Sequence, residues 1–307
     1  FFLIIIFFLC NVKNSLANET IKIGLLAPFS GEFGYIGKSV IGSTKMALEK
    51  INNNNIYVLP RDTKADNLET LKKVDELYVE GVRIFIGPVF NKNLNGLEKY
   101  DDAIFLSLTN KILNNPKNVI SVGINANSQF RAIKRFQKKN DLNQTLVLIP
   151  KKDYKEEIEE AIKNSKLKSK KIFYYDTEPT KLTKQIEKVT NYQIRKQNLA
   201  DEIKRIENSE EENKEKKLEI LNKKDTIGKI GFDSIVIADF DESLKSVTTS
   251  LLYTDVSPKN VVFISLNQWF DKTLFKETAS QPISFPSVNK KNFDKFNKEY
   301  EEFYEEL

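Results

Sequence analysis

IKIGLLAPFSGEFGYIGKSVIGSTKMALEKIN, residues Ile21 to Asn52, starts as a strand and ends as a helix. Ile21 to Pro28 is a short apolar run, the pattern of a buried strand, and Pro28 closes it. A Ser-Gly loop follows, after which Val40, Ala47, Leu48 and Ile51 recur at helical spacing. A buried strand passing through a short loop into an amphipathic helix is half of a strand-helix-strand unit, so a parallel sheet with crossover helices is expected.

Working outward, the same alternation repeats. Strands are predicted at Ile56–Leu59, Arg83–Val89, Ala103–Leu108 and Asn118–Gly123, with one helix carrying Leu68, Leu71, Val74 and Leu77 and another carrying Phe130, Ile133 and Phe136. After a Lys- and Asn-rich turn near Asn140 the pattern restarts at Thr145–Pro150. It continues through a helix with Ile158 and Ile162 and strands at Lys171–Asp176, Asp233–Asp239 and Asn260–Leu266. Two such series predict an α/β protein of two doubly wound lobes, 18–138 and 139–280, with 281–307 returning to the first lobe. In sheets of this type ligands sit beyond the carboxyl ends of the strands.

One segment breaks the rhythm. Residues 180–227 contain neither Gly nor Pro, and 18 of the 31 residues from Arg195 to Asp225 are charged with both signs mixed. Leu182, Ile186, Val189, Leu199, Ile203, Ile206, Leu218 and Leu221 keep a sparse 3/4 spacing, so a long helical hairpin insert in the second lobe is expected, bent at Asn208–Asn213. A solvated insert closing on itself is the plainer reading, and a partner-binding arm the other.

The amino end, FFLIIIFFL followed by polar residues, reads as the apolar core of a secretory signal, with Ser15-Leu16-Ala17 placing small residues where a signal peptidase cuts. Cleavage after Ala17 is expected, 1–17 being a signal truncated at its start. A membrane anchor needs about 20 apolar residues and ten are present. Lipidation of Cys10 calls for a small preceding residue, whereas Leu9 is large. Export to the periplasm without a membrane span in the mature chain is the resulting expectation.

Composition removes many chemistries. There is no His and one Cys among 307 residues, which excludes Ser-His-Asp and Cys-His triads, His-ligated metals and iron-sulfur clusters. With 48 Lys+Arg against 43 Asp+Glu, a net charge of +5 is small for this length and does not point to nucleic acid. Gly31, Gly34 and Gly37 lie where a phosphate loop would be, but their spacing matches neither the dinucleotide fingerprint nor the P-loop. That loop reads as backbone at a rim, with Ser30, Tyr35 and nearby amides offered to an anion. Asp239 follows an apolar strand, so its carboxylate is expected at the strand-end site, as a hydrogen-bonding or ammonium-binding group or a helix N-cap; Asp101 and Asp102 read as solvated. Trp269 reads as packing or rim rather than as a substrate platform. No catalytic set, metal site or cofactor is expected.

The opening Ile21–Asn52 stretch, with its Pro-Phe-Ser-Gly loop and Ala-Leu-Glu-Lys-Ile-Asn helix end, together with GVRIFIGPVFNKNL, resembles the type I periplasmic binding proteins of the leucine/isoleucine/valine-binding family. Leu59-Pro60-Arg61-Asp62-Thr63, FLSLTN, LIPKKDY, FDSIVIADFDE and LNQWFD resemble the penicillin-binding protein activators, which share that fold. The resemblance implies two Rossmann-like lobes of the type I class closing on a non-enzymatic cleft. It implies Ser107, Thr109 and Asn110 for a ligand carboxylate and Tyr154 and Asp239 for an ammonium. Phe90-Asn91 stands where amino-acid binders carry a small hydroxyl residue, which favours the activator branch. The implied partners are a peptidoglycan synthase, or alternatively an ABC transporter permease and a branched-chain amino acid or similar small solute. Asn292–Leu307 looks like a helix of the first lobe, after which the family normally continues; truncation at both ends is expected.

Overall fold

The structure is a computed structural model that describes residues 20–267, Lys276 and 281–305. The expected signal at 1–17 and Trp269 lie outside the described residues. Packing divides the chain into two units, one running to Gly123 and taking up the residues from Asn297 on, the other comprising Ile124–Phe296.

The first unit is a five-stranded parallel sheet of β1 (Ile21–Ala27), β2 (Ile56–Asp62), β3 (Ile84–Ile86), β4 (Ile104–Ser107) and β5 (Val119–Ser121) in the order β2-β1-β3-β4-β5. Strand order reverses at β1/β3, the point at which such sheets bind ligands. β2 runs three residues further than the apolar pattern suggests. It is an edge strand, where Pro60 opposite Leu25 costs no ladder bond. α2 (Asn67–Val79) is capped by Asp66, which accepts from the Glu69 amide at 2.9 Å, and buries Val74 and Leu77 against Phe85 and Phe105, whose rings stack at 4.7 Å. Leu68, expected on that face, is exposed.

α1 (Gly34–Ile51) also departs from its expected stripe. Its buried positions are Gly34, Gly37, Gly42 and Met46, while Val40 and Ala47 line an open groove of about 430 Å³ with Ile86 and Leu108. The helix lies too close to the sheet for side chains. A Cβ on Gly37 would stand 2.1 Å from the Pro28 carbonyl oxygen. Gly37→Ala is therefore expected to cost about 1–3 kcal/mol through forced displacement of α1, read as a lower urea midpoint. A shift under ~0.5 kcal/mol would mean that the helix recedes freely. The same close approach recurs at Gly42, beside Tyr300 and Tyr304 of α9 (Lys290–Glu305), and Lys50 of α1 pairs with Glu299 of α9.

The second unit repeats the topology. β6 (Thr145–Pro150), β7 (Lys171–Tyr175), β8 (Ser234–Ile237), β9 (Val262–Ser265) and β10 (Ile283–Ser284) form a parallel sheet in the order β10-β9-β8-β6-β7, with reversal at β6/β8. Every residue of β6 and β8 is buried, as expected of central strands covered on both faces. Two boundaries differ from the sequence expectation. α3 (Ala126–Lys139) belongs to this unit because its buried Gln137 bonds Thr145 of β6 at 2.6 Å and it packs on α4 (Lys155–Ser165). β10 pairs with β9, so the return to the first unit falls well after residue 281.

The helical segment also divides differently. α5 (Pro179–Val189) is the crossover helix of the lobe, with Leu182, Ile186 and Val189 in its core beside α8 (Asp241–Tyr253). α6 (Tyr192–Glu207), which also packs on α5, and α7 (Lys214–Asn222) pack on each other, with the break at 208–213. α7 buries none of its residues. Among the described residues no helix is long and apolar enough to cross a membrane.

Candidate functional site

At the β6/β8 reversal of the second lobe the chain leaves β8 through Ala238 and Asp239, both fully buried. Five donors converge on the Asp239 carboxylate. Oδ1 accepts from Lys152 Nζ at 2.7 Å, Tyr154 OH at 2.8 Å and the Phe240 amide at 2.9 Å. Oδ2 accepts from Tyr175 OH and Ser243 Oγ, both at 2.5 Å. The donors come from the β6–α4 loop, the end of β7 and the first turn of α8, so three parallel connections are tied together at one acid. Asp239 is not a backbone cap of α8; it meets that helix through Ser243.

Burial alone would raise the Asp239 pKa, but the hydrogen bonds from Lys152, Ser243, Tyr175 and the Phe240 amide outweigh it and hold the carboxyl below its ordinary value. Tyr154 and Tyr175 are pushed up, by burial first and then by the Asp239 charge, which fixes both as donors. Tyr154 further packs edge-on against Phe240 at 5.7 Å. A carboxylate offers roughly four lone-pair sites. With Lys152 on Oδ1 beside four neutral donors, the place that an incoming ammonium would take is already filled, and the cation Asp239 pairs with is supplied by its own lobe.

The first lobe is satisfied in a parallel way at β1/β3. Asp62, ending β2, accepts from Ser30 Oγ at 2.5 Å, the Phe29 amide at 2.8 Å and the Lys64 amide at 2.9 Å. Burial opposes ionisation here as well. The bonds from Ser30 and the three backbone amides of Lys64, Phe29 and Ser30 prevail, and the Asp62 pKa is lowered. Ser30 and its neighbouring amide, expected to be available to an anion, are thus committed to Asp62. Beyond the end of β3, Phe90 packs edge-to-face on Phe33 at 4.9 Å, and both rings are half-buried. Gly87, at φ +103° with a would-be Cβ 2.1 Å from the Leu26 carbonyl oxygen, sets the turn that delivers Phe90 there.

The other expected residues are placed as follows. Ser107 is fully buried, donates to the Pro88 carbonyl at 2.7 Å and accepts from the Thr109 amide at 3.3 Å. Thr109 is buried and accepts from the Lys111 amide at 3.2 Å. Asn91 is exposed and donates to Asn115 at 3.2 Å, while Asn110 and Tyr35 are exposed side chains. Tyr154 with Asp239, and Ser107 with Thr109, are therefore brought together. Asp102, read as solvated, is exposed but pairs with Arg83 at 2.7 Å.

Asp62, Phe33, Lys152, Tyr175 and Ser243 escaped the sequence reading. Asp62 carried the same signal as Asp239, an acid closing a strand. Lys152 carried none, because a Lys in a polar turn reads as solvated.

A family model described as periplasmic binding protein matches residues 20–188, more than half of the chain. No curated protein matches it. Among solved structures, the C-domain of LpoA (YraM) from Haemophilus influenzae, a regulator of PBP1A, is similar with a TM-score of 0.52 at 16% identity, covering 80% of this chain and 65% of that one. Full-length LpoA from the same organism gives a TM-score of 0.54 at 16% identity, covering 81% of this chain and 38% of that one. The branched-chain amino acid binding protein LivJ from Streptococcus pneumoniae, in complex with isoleucine, gives 0.40 at 14% identity over 81% of this chain and 64% of that one, too distant to carry an argument. The chain thus spans less than two thirds of these structures, and the likeness to LpoA is one of fold. With the parallel two-unit topology and the match over 20–188, the chain belongs to the periplasmic binding protein family.

Proposed function

We propose that this protein is an exported, non-catalytic regulator that binds a peptidoglycan synthase, in the manner of the penicillin-binding protein activators, rather than a receptor for amino acids. The observation that carries the reading is the internal satisfaction of both strand-end sites. In the first lobe Asp62 occupies the Ser30 hydroxyl and Phe29 amide, Ser107 is buried against Pro88, and Phe90 packs on Phe33. In the second lobe Asp239 is neutralised by Lys152. A ligand carboxylate would have to displace Asp62 at the first-lobe site, and a ligand ammonium would have to displace Lys152 at the second-lobe site. The fold shared with LpoA, itself a regulator of PBP1A, supports the same reading. Family membership and the apolar run at 1–9 support the export part of this reading. Asp239 is ionised and saturated with donors, which leaves it unsuited to act as a general acid or base. The α6–α7 pair, charged and with no residue of α7 buried, is the surface we assign to the partner.

The receptor alternative, a substrate-binding component of an ABC transporter, rests on family membership and is separable by experiment. The purified chain is expected to bind a bifunctional peptidoglycan synthase saturably in biolayer interferometry. None of the twenty amino acids at millimolar concentration should raise its melting temperature. A saturable rise with an amino acid, which at 100-fold excess over Kd amounts to about 2.7 kcal/mol, together with no synthase binding would overturn the proposal in favour of the receptor.

A further inference from the structure

We infer that Lys152 is a specificity-determining residue: its ammonium occupies, within the chain itself, the position at Asp239 that a primary ammonium ligand would take, and it thereby shuts the second-lobe site to cationic ligands. The inference takes from the proposed function only the idea that this strand-end site corresponds to a ligand site, and it concerns which ligands that site refuses.

Four of the five named donors to Asp239 are neutral and come from groups that also serve the fold: Tyr175 at the end of β7, Ser243 in α8, the Phe240 amide and Tyr154 at the start of α4. Lys152 brings the charge. It is held differently, on a loop, with its side chain 32% exposed while Asp239 is fully buried. Its Nζ lies 2.7 Å from Oδ1 and 5.9 Å from the centre of the Tyr154 ring, so the ammonium has both a carboxylate and an aromatic ring as neighbours. A carboxylate with an adjoining ring is a general recognition pattern for alkylammonium groups. Here the alkyl chain is the four-carbon stem of Lys152, tethered to the protein. Because the tether fixes the ammonium at very high effective concentration, a free amine at ordinary concentrations does not compete.

Removing the stem and charge together leaves the buried Asp239 carboxyl group, still held by its neutral donors, beside a space shaped by an alkylammonium. The probe is n-propylammonium chloride, tested by thermal unfolding on wild type, Lys152→Ala and Lys152→Met, with tetramethylammonium chloride and sodium chloride at equal ionic strength as controls. Lys152→Ala is expected to show a saturable rise of ~3–6 °C at tenfold excess over Kd. Wild type and Lys152→Met, in which a stem still fills the space, are expected to show none beyond the salt controls. The inference is overturned if wild type responds as strongly as Lys152→Ala, or if Lys152→Ala responds no more to propylammonium than to the controls. Should Lys152→Ala not fold alone, refolding from urea decides: recovery of folded protein with propylammonium but not with tetramethylammonium supports the inference, and no recovery overturns it. Synthase binding by the wild-type chain is a separate readout, so failure of the regulator reading would leave this outcome distinguishable.

Discussion

Arg195→Met is expected to destabilise the second lobe by about 3 kcal/mol. The guanidinium is 3% exposed and holds the root of the α6–α7 pair. Nε donates to the Thr190 carbonyl at 3.1 Å, Nη1 to Thr226 Oγ1 at 3.0 Å, and Nη2 to the Thr254 carbonyl. Thr190 and Thr254 are the C-caps of α5 and α8, so one fork satisfies groups at the ends of two helices. The contact with Asp255 at 4.0 Å adds little, because that carboxylate is 38% exposed. Methionine fills much of the volume but leaves two carbonyls and a hydroxyl buried without their donor. The Arg195 carbonyl also receives the Ile227 amide, closing the loop that ends the insert. Urea unfolding by far-ultraviolet circular dichroism measures the loss, and amide exchange in α6 should quicken. A loss below ~0.5 kcal/mol would show that water replaces the fork and that Arg195 does not anchor the insert.

Asp239→Ala is expected to cost about 3–5 kcal/mol, since it orphans Tyr175 OH in a fully buried position and strands the Lys152 charge. Asp239→Asn keeps the volume but turns one acceptor into a donor facing donors, so it is expected to recover less than half of the loss. The pH dependence has a definite sign. Because the folded-state pKa of Asp239 is depressed, its stabilisation is present above the ordinary carboxylate range, from about pH 4 upward, and is lost as pH falls through the lower folded value. Urea midpoints of wild type should therefore fall more steeply below about pH 4 than those of Asp239→Ala. Equal acid slopes in the two proteins would show that Asp239 is not selectively stabilised as the anion.

The sheet strands were legible because parallel strands covered on both faces must be short apolar runs, and Gly or Pro punctuates several of them. TLVLIP and DSIVIAD carry that signal undiluted, and they became β6 and β8. The helix faces were legible where apolar side chains make the contact, as in α3 through Phe130 and Ile133 and in α5 through Leu182, Ile186 and Val189. α1 was misread for a physical reason. It approaches the strand end so closely that glycines form the buried face, and glycine carries no hydrophobic signal. α5 reads as part of the insert because the stretch free of Gly and Pro and its apolar spacing run unbroken from 180 to 227, whereas its membership in the core depends on β7 and α8 being beside it.

The candidate site divides along the same line. The place of Asp239 was legible, since an acid closing an apolar strand of an α/β lobe must project at the strand end, whereas the meaning of Phe90 rests on the family resemblance. Sequence alone thus determined the fold class, the family, the export expectation and the absence of His-based chemistry. Only the tertiary structure decided that the strand-end charges are already paired. Lys152 meets Asp239 across 87 positions and Ser30 meets Asp62 across 32. A hydrogen bond reads distance in space, and no local pattern of residues encodes a pairing made by bringing separate crossover connections to one end of a sheet.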